Sequence, residues 1–133
     1  MKKAFLILAV ALFITPLSGQ TLGDQVQIRV SYNGEAITVS NTAIGFTSSL
    51  INPTCADCPV NVLRATLATC TVQTDAIRVR ADGTNPTAAI GLYVASGQSF
   101  TVFGYNDIAN FRAIRVTTDA TIYCQYSRIQ AGS

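Results

Sequence analysis

The sequence predicts an all-β protein, a single antiparallel β-sandwich or jelly-roll-like barrel of about eight or nine strands behind an N-terminal signal peptide. Three observations predict it. Short runs alternate apolar and polar residues with a period of two, as a strand with one buried face requires. Turn dipeptides recur between them at Asn33-Gly34, Asp82-Gly83, Asn85-Pro86, Ser96-Gly97, Asn106-Asp107 and Thr118-Asp119. Finally, no stretch carries a sustained i, i+3, i+4 apolar stripe with good helix formers, and residues 20–133 hold many β-branched residues and few Glu, Lys or Met, so helix is largely excluded.

The leader comes first. Met1, Lys2 and Lys3 give a positive start, and Ala4 to Ile14 is an unbroken run of eleven apolar residues stopped by Thr15, Pro16 and Ser18. This is the pattern of a signal peptide, and it is shorter than the roughly 20 residues of a membrane span. Cleavage after Gly19 leaves residues 20–133 as one domain. Leu17 to Gln20 resembles a lipoprotein cleavage box with Gln20 where the lipidated cysteine would stand, so no acyl anchor is expected there. The expected destination is secreted, periplasmic or cell-surface, without stable membrane insertion after cleavage. An uncleaved, tethered form is the alternative, because Leu17 is large for a cleavage site.

Within the domain, Val26, Ile28, Val30 and Tyr32 alternate with polar residues, Asn33-Gly34 follows, and Ile37 and Val39 resume the alternation. Asn-Gly suits a type I′ turn, so residues 25–40 are predicted to form a β-hairpin. Residues 52–59 (NPTCADCP) read as a loop closed at both ends by proline. The remaining strands are expected at Val60–Val72, Ala76–Ala81, Ala88–Ala95, Ser99–Phe103, Phe111–Thr117 and Ala120–Tyr126, with a frayed tail over Gln130–Ser133.

Four cysteines in a small exported chain point to two disulfides. Cys70–Cys124 with Cys55–Cys58 is favoured among the three connectivities, since Cys70 and Cys124 lie in alternating segments that suit neighbouring strands. Cys55-Ala56-Asp57-Cys58 also has redox spacing, and all four thiols could be drawn around zinc. Neither is preferred: the motif sits between Pro53 and Pro59 without a helix N-terminus to lower a thiol pKa, and zinc would want a second close pair. No metal or cofactor is expected.

Charge narrows the partners. The full chain carries nine basic and seven acidic residues, and without Lys2 and Lys3 seven arginines face seven acids, for a net charge of zero. This argues against nucleic acid and anionic membranes, which recruit clustered positive charge, and favours self-association into a homo-oligomer. The chain has no histidine, which removes Ser-His and Cys-His nucleophile systems. Glu35 is the sole glutamate, and nearly all the aspartates, Asp82 among them, fall in predicted turns where they serve the local backbone. No enzyme is therefore expected.

Aromatic residues supply the binding candidates. Tyr93, Phe100, Phe103, Tyr105, Phe111, Tyr123 and Tyr126 either fill the core or offer faces to a sugar ring. Tyr105, in a turn region, is expected to be the most exposed, and Tyr93 and Tyr105 are the candidate contacts for a surface glycan or polymer. Ser99–Phe103 carries aromatic and aliphatic residues on both faces, so it is either buried on both sides or part of an interface. Arg78 and Arg80 share a strand face, where they can meet Asp82 or a neighbouring subunit.

Residues 76–126 carry a more specific pattern: Ile77-Arg78-x-Arg80, Asp82-Gly83-Thr84-x-Pro86-Thr87, Gly91, Gly97, the Phe111–Arg115 strand and the closing Ala120–Tyr126 strand. This pattern resembles small bacteriophage-type virion structural proteins of decoration or fibre type. The resemblance implies a compact non-enzymatic β-sandwich or barrel. Because virion parts normally assemble in the cytoplasm, the signal peptide and cysteines shift the expectation to an exported surface fibre subunit or adhesin-like module.

Overall fold

The computed structural model describes residues 27–54 and 64–131. Among them are seven strands and two short helices: β1 (Gln27–Val39), α1 (Ser48–Ile51), β2 (Leu67–Val72), β3 (Ile77–Arg80), β4 (Leu92–Val94), β5 (Ser99–Phe103), α2 (Tyr105–Asn110), β6 (Arg112–Arg115) and β7 (Ala120–Ala131). The strands form two antiparallel sheets, one ordered β1-β7-β2-β5 and the other β4-β3-β6. The predominantly β character is as expected.

The hairpin expected over residues 25–40 is not formed. β1 runs through Asn33-Gly34 as one thirteen-residue strand and pairs with β7 along its length, from Gln27↔Ala131 to Val39↔Ala120. The apolar phase, even up to Tyr32 and odd from Ile37, changes at a bulge between Ser31 and Asn33. One extra residue on one strand exchanges the faces of everything beyond it. Gly34 serves a close approach instead of a turn: a Cβ there would lie 2.9 Å from the Cys124 carbonyl oxygen. The partner decides the outcome, because the twelve-residue β7 satisfies both halves of β1.

Other boundaries also move. The strand expected over 88–95 is reduced to Leu92–Val94, because Thr87 and Ile90 bond each other's backbone in a turn. β7 extends to Ala131, so Gln130 is paired where a frayed tail was expected. Helix among the described residues is confined to two short segments, in keeping with the expectation that it is largely excluded. α1 is a single turn, and α2 begins at the predicted Asn106-Asp107 turn after Gly104, whose φ is +83°. Cys55 and Cys58 lie outside the described residues.

Both sheets contribute to one hydrophobic cluster. Ile37, Val39, Val72, Ile122 and Tyr126 enter it from the first sheet, and Ile77, Val79, Val94 and Ala113 from the second. Phe111 is its aromatic hub, stacked on Phe46 with ring centroids 4.1 Å apart and on Phe100 at 5.7 Å. Burying a side chain of that size contributes about 1.5–3 kcal/mol. Cys70 and Cys124, directly opposite each other on β2 and β7, form a disulfide at full burial.

Segment 44–51 closes the β1 side of this core. The Thr47 N–H and hydroxyl donate to Glu35, the Tyr32 hydroxyl donates to the Ile51 carbonyl, and Ile44 bridges Ala113. At the far side of the same sheet, no strand among the described residues pairs with the outer edge of β5.

Candidate functional site

β5 is held between two glycines with positive φ, Gly97 at +80° and Gly104 at +83°. Gly97 donates to the Val72 carbonyl and Gly104 to the Thr66 carbonyl, while Val72 donates to Gln98. In an antiparallel pair, hydrogen-bonded and non-bonded residue pairs alternate. Phe100 and Val102 therefore turn both backbone groups to β2, Gln98 gives it a carbonyl and Gly104 an N–H, and the N–H and C=O groups of Ser99, Thr101 and Phe103 point away from it.

This open edge borders an apolar cleft of about 330 Å³. Val79, Ala81 and Leu92 line it from the second sheet, Phe100 and Phe111 from the core, and Thr101 and Phe103 from β5. Leu92 and Phe103 are each 67 % exposed, the highest values among the large apolar residues described. Arg80 and Asp107 are the charged residues on its rim. The Arg80 guanidinium is already committed to Asp82, with Nε 3.1 Å from Oδ1, and Asp82 also accepts from the Thr84 N–H. The Arg80 side-chain bond is the main reason the Asp82 carboxyl is held down at about 2.

Of the residues singled out from sequence, Arg78 and Tyr93 are brought together. They are paired across β3 and β4, with the guanidinium carbon 5.2 Å from the ring centre. Arg78 also donates to the carbonyls of Gly91 at 2.9 Å and Ala88 at 3.3 Å, so it pins the 88–91 loop. Arg78 thus makes no pair with Asp82, and only Arg80 does. Tyr105 is half-buried at the start of α2, beneath the Arg64 guanidinium at 4.4 Å. It is not the most exposed aromatic residue. Phe103 is, and among tyrosines it is Tyr123, at 54 %.

A second concavity opens where β1 bulges. Ser31, Tyr32, Asn33 and Gly34 line it with Tyr123 and Gln125 of β7, enclosing about 350 Å³. Sequence reasoning passed over Gln125 and Asn33. The available signal was the phase of β7, where Tyr123 and Gln125 alternate with buried Ile122, Cys124 and Tyr126.

Two of the turn aspartates, Asp75 and Asp82, accept from the backbone, as their positions suggest. Asp75 accepts from the Ala76 N–H and from both the N–H and hydroxyl of Thr118, joining two turns far apart in sequence. Asp119 pairs with Arg115. Among the described residues no three His, Cys, Asp or Glu side chains gather as metal ligands would. No family model matches the chain, and no match is found among curated proteins or solved structures.

Proposed function

We propose that this protein is a non-enzymatic, exported structural subunit whose two sheets pack as a sandwich and which self-associates through the free edge of β5. One observation carries the reading. Ser99–Phe103 is an uncharged, proline-free strand of high β propensity on an edge that no strand among the described residues pairs, with two strongly exposed apolar side chains, its own Phe103 and the neighbouring Leu92. Natural edge strands are usually blunted by lysine, proline, bulges or a covering segment. β5 has none of the first three, and residues 20–133 contain no lysine.

Identical chains present identical edges, and a net charge of zero over residues 20–133 sets no long-range repulsion between copies. The apolar cleft alongside gives an added strand somewhere to bury a side chain, which joins main-chain pairing to pocket specificity as in β-augmentation. The leader pattern and the cysteines agree with assembly outside the cytoplasm, and the resemblance to fibre components agrees with a structural subunit.

Light scattering of the exported, non-reduced protein over a range of concentrations tests this. A defined oligomer or a mass that grows with concentration is expected, and a monomer throughout would overturn the proposal. Thr101→Pro sharpens the test. It deletes an N–H that points away from β2 and leaves the β2 ladder whole, so it should return the protein to monomer with the fold intact.

A further inference from the structure

The recess at the β1 bulge has a chemistry unlike that of the β5 cleft. On β1, Gly34 and Ala36 stand directly opposite Gln125 and Tyr123 of β7. Two small residues beside two large ones leave the Tyr123 ring and the Gln125 amide uncovered. Gly34 is small for a backbone reason, the approach of the Cys124 carbonyl, and the opening comes with it.

The polar groups around the opening are largely uncommitted. The Tyr32 hydroxyl is used on the Ile51 carbonyl, and the Asn33 Nδ2 donates to the Leu50 carbonyl at 3.5 Å. Both therefore turn toward the core side of the sheet, where Asn33 stands opposite Tyr126, and on the open face the Gln125 amide and the hydroxyls of Ser31 and Tyr123 have no hydrogen-bond partner among the described residues. None of the lining residues is charged. The solvent side of the sheet beyond continues the same character, with Gln125, Thr69 and Thr101 in one register row and Tyr123, Thr71 and Ser99 in the next.

We propose that this recess is a binding subsite for a neutral, pyranose-based glycan, with Tyr123 as the stacking platform. A pyranose ring has an apolar face of C–H groups and a rim of hydroxyls that both donate and accept. The negative face of a tyrosine ring attracts the C–H edge. A side-chain amide offers a donor and an acceptor side by side, which vicinal hydroxyls match. A phosphate, sulfate or uronate would find no cation in the lining. Tyr93 and Tyr105, the candidates from sequence, are instead stacked under arginines of this chain.

The site is two strands away from the β5 edge, so binding and assembly are separable. Saturation-transfer NMR with cellohexaose, maltohexaose, chitohexaose and mannohexaose tests the proposal, together with titration of the isotope-labelled full protein. At least one oligosaccharide should bind and shift the side-chain amide signal of Gln125 and the backbone signals of Gly34 and Tyr123. Tyr123→Ala should weaken that binding about ten-fold, as removal of a central aromatic anchor does, and Tyr123→Phe should largely retain it. The exposed position of Tyr123 makes both variants foldable, which a thermal melt checks. Thr101→Pro should bind as wild type whatever its oligomeric state. The proposal is overturned if none of the oligosaccharides binds, if the shifts fall elsewhere, or if Tyr123→Ala binds normally.

Discussion

The hydroxyl of Tyr126, fully buried on β7, donates to the carboxylate of Glu35 on β1, which also accepts from the N–H and hydroxyl of Thr47. The only glutamate of the chain thus ties three segments together: the two longest strands and the loop that closes the core beside them.

Tyr126→Phe should cost about 1.5–3 kcal/mol, the usual loss for a hydrogen bond to a charged group, read as a lowered denaturation midpoint. Glu35→Ala should cost more, because it strands the buried hydroxyl as well. The pH dependence follows from the direction of the shift. Burial first, and the Glu35 bond second, raise the Tyr126 pKa far above its ordinary 10.0. The unfolded phenol therefore loses its proton before the folded one. The contribution is fully present below pH 10.0 and is lost as the pH rises beyond it. Tyr126→Phe should flatten this alkaline fall in the melting temperature, leaving the smaller part due to Tyr32, which burial also raises.

Gly91 and Gly97 separate two reasons for glycine. Both have positive φ, +129° and +80°. A Cβ at Gly91 would meet the Pro86 side chain and the Val79 carbonyl oxygen, each at 3.1 Å, whereas at Gly97 nothing lies within 4 Å. Gly97→Ala should therefore cost only the conformational penalty, about 1–2 kcal/mol. Gly91→Ala adds a contact that backbone must relieve, so its midpoint should fall clearly further in parallel urea titrations. Equal losses would mean that the 86–91 turn yields freely.

These particulars also mark what the sequence could and could not say. The register of Cys70 and Cys124 was legible, because both cysteines lie on the buried phase of alternating runs, and β5 stood out by having large apolar residues on both faces. The Asn33-Gly34 segment misled because a two-residue turn and a one-residue bulge produce the same phase change. In a hairpin Tyr32 would face Glu35 and Val30 would face Ile37, with no conflict in the pattern. Only the length of β7, some ninety residues later, favours the continuous strand. The exposure of Tyr105 was equally beyond local reading, since it depends on Arg64, which reaches it from outside the turn.

Acid should weaken the fold through two carboxylates. The Arg80 side chain chiefly lowers Asp82 to about 2, and the Thr118 hydroxyl chiefly lowers Asp75. Groups with depressed values stabilise above their unfolded pKa of 3.8, and this is lost as the pH falls through the folded value. Melting temperatures measured between pH 5 and pH 2 should decline, and Asp75→Asn should lessen the decline by removing the link between the two turns. Asp82 is exposed and Asp75 only half-buried, so the change should be modest and should shrink in high salt. A decline identical in Asp75→Asn would place the acid sensitivity elsewhere.

The Cys70–Cys124 bond joins β2 to β7, the two inner strands of the four-stranded sheet, across a separation of 54 residues. Everything from β3 to β6 lies inside that loop. Closing so long a loop removes many conformations from the unfolded chain, a contribution of about 4 kcal/mol on the loop-entropy model. Both sulfurs belong to fully buried residues, so each replacement must be small and apolar to leave the native packing near its original shape. Cys70→Ala with Cys124→Ala should accordingly lower the unfolding free energy read from guanidinium titrations by about 4 kcal/mol while preserving the β-sheet circular dichroism of the wild type. Reducing the wild-type protein should reproduce the loss. If the double variant and the oxidised protein unfold at the same midpoint, the bond follows the fold without supporting it, and the pairing of β2 with β7 must rest on the core residues Val72, Ile122 and Tyr126 alone.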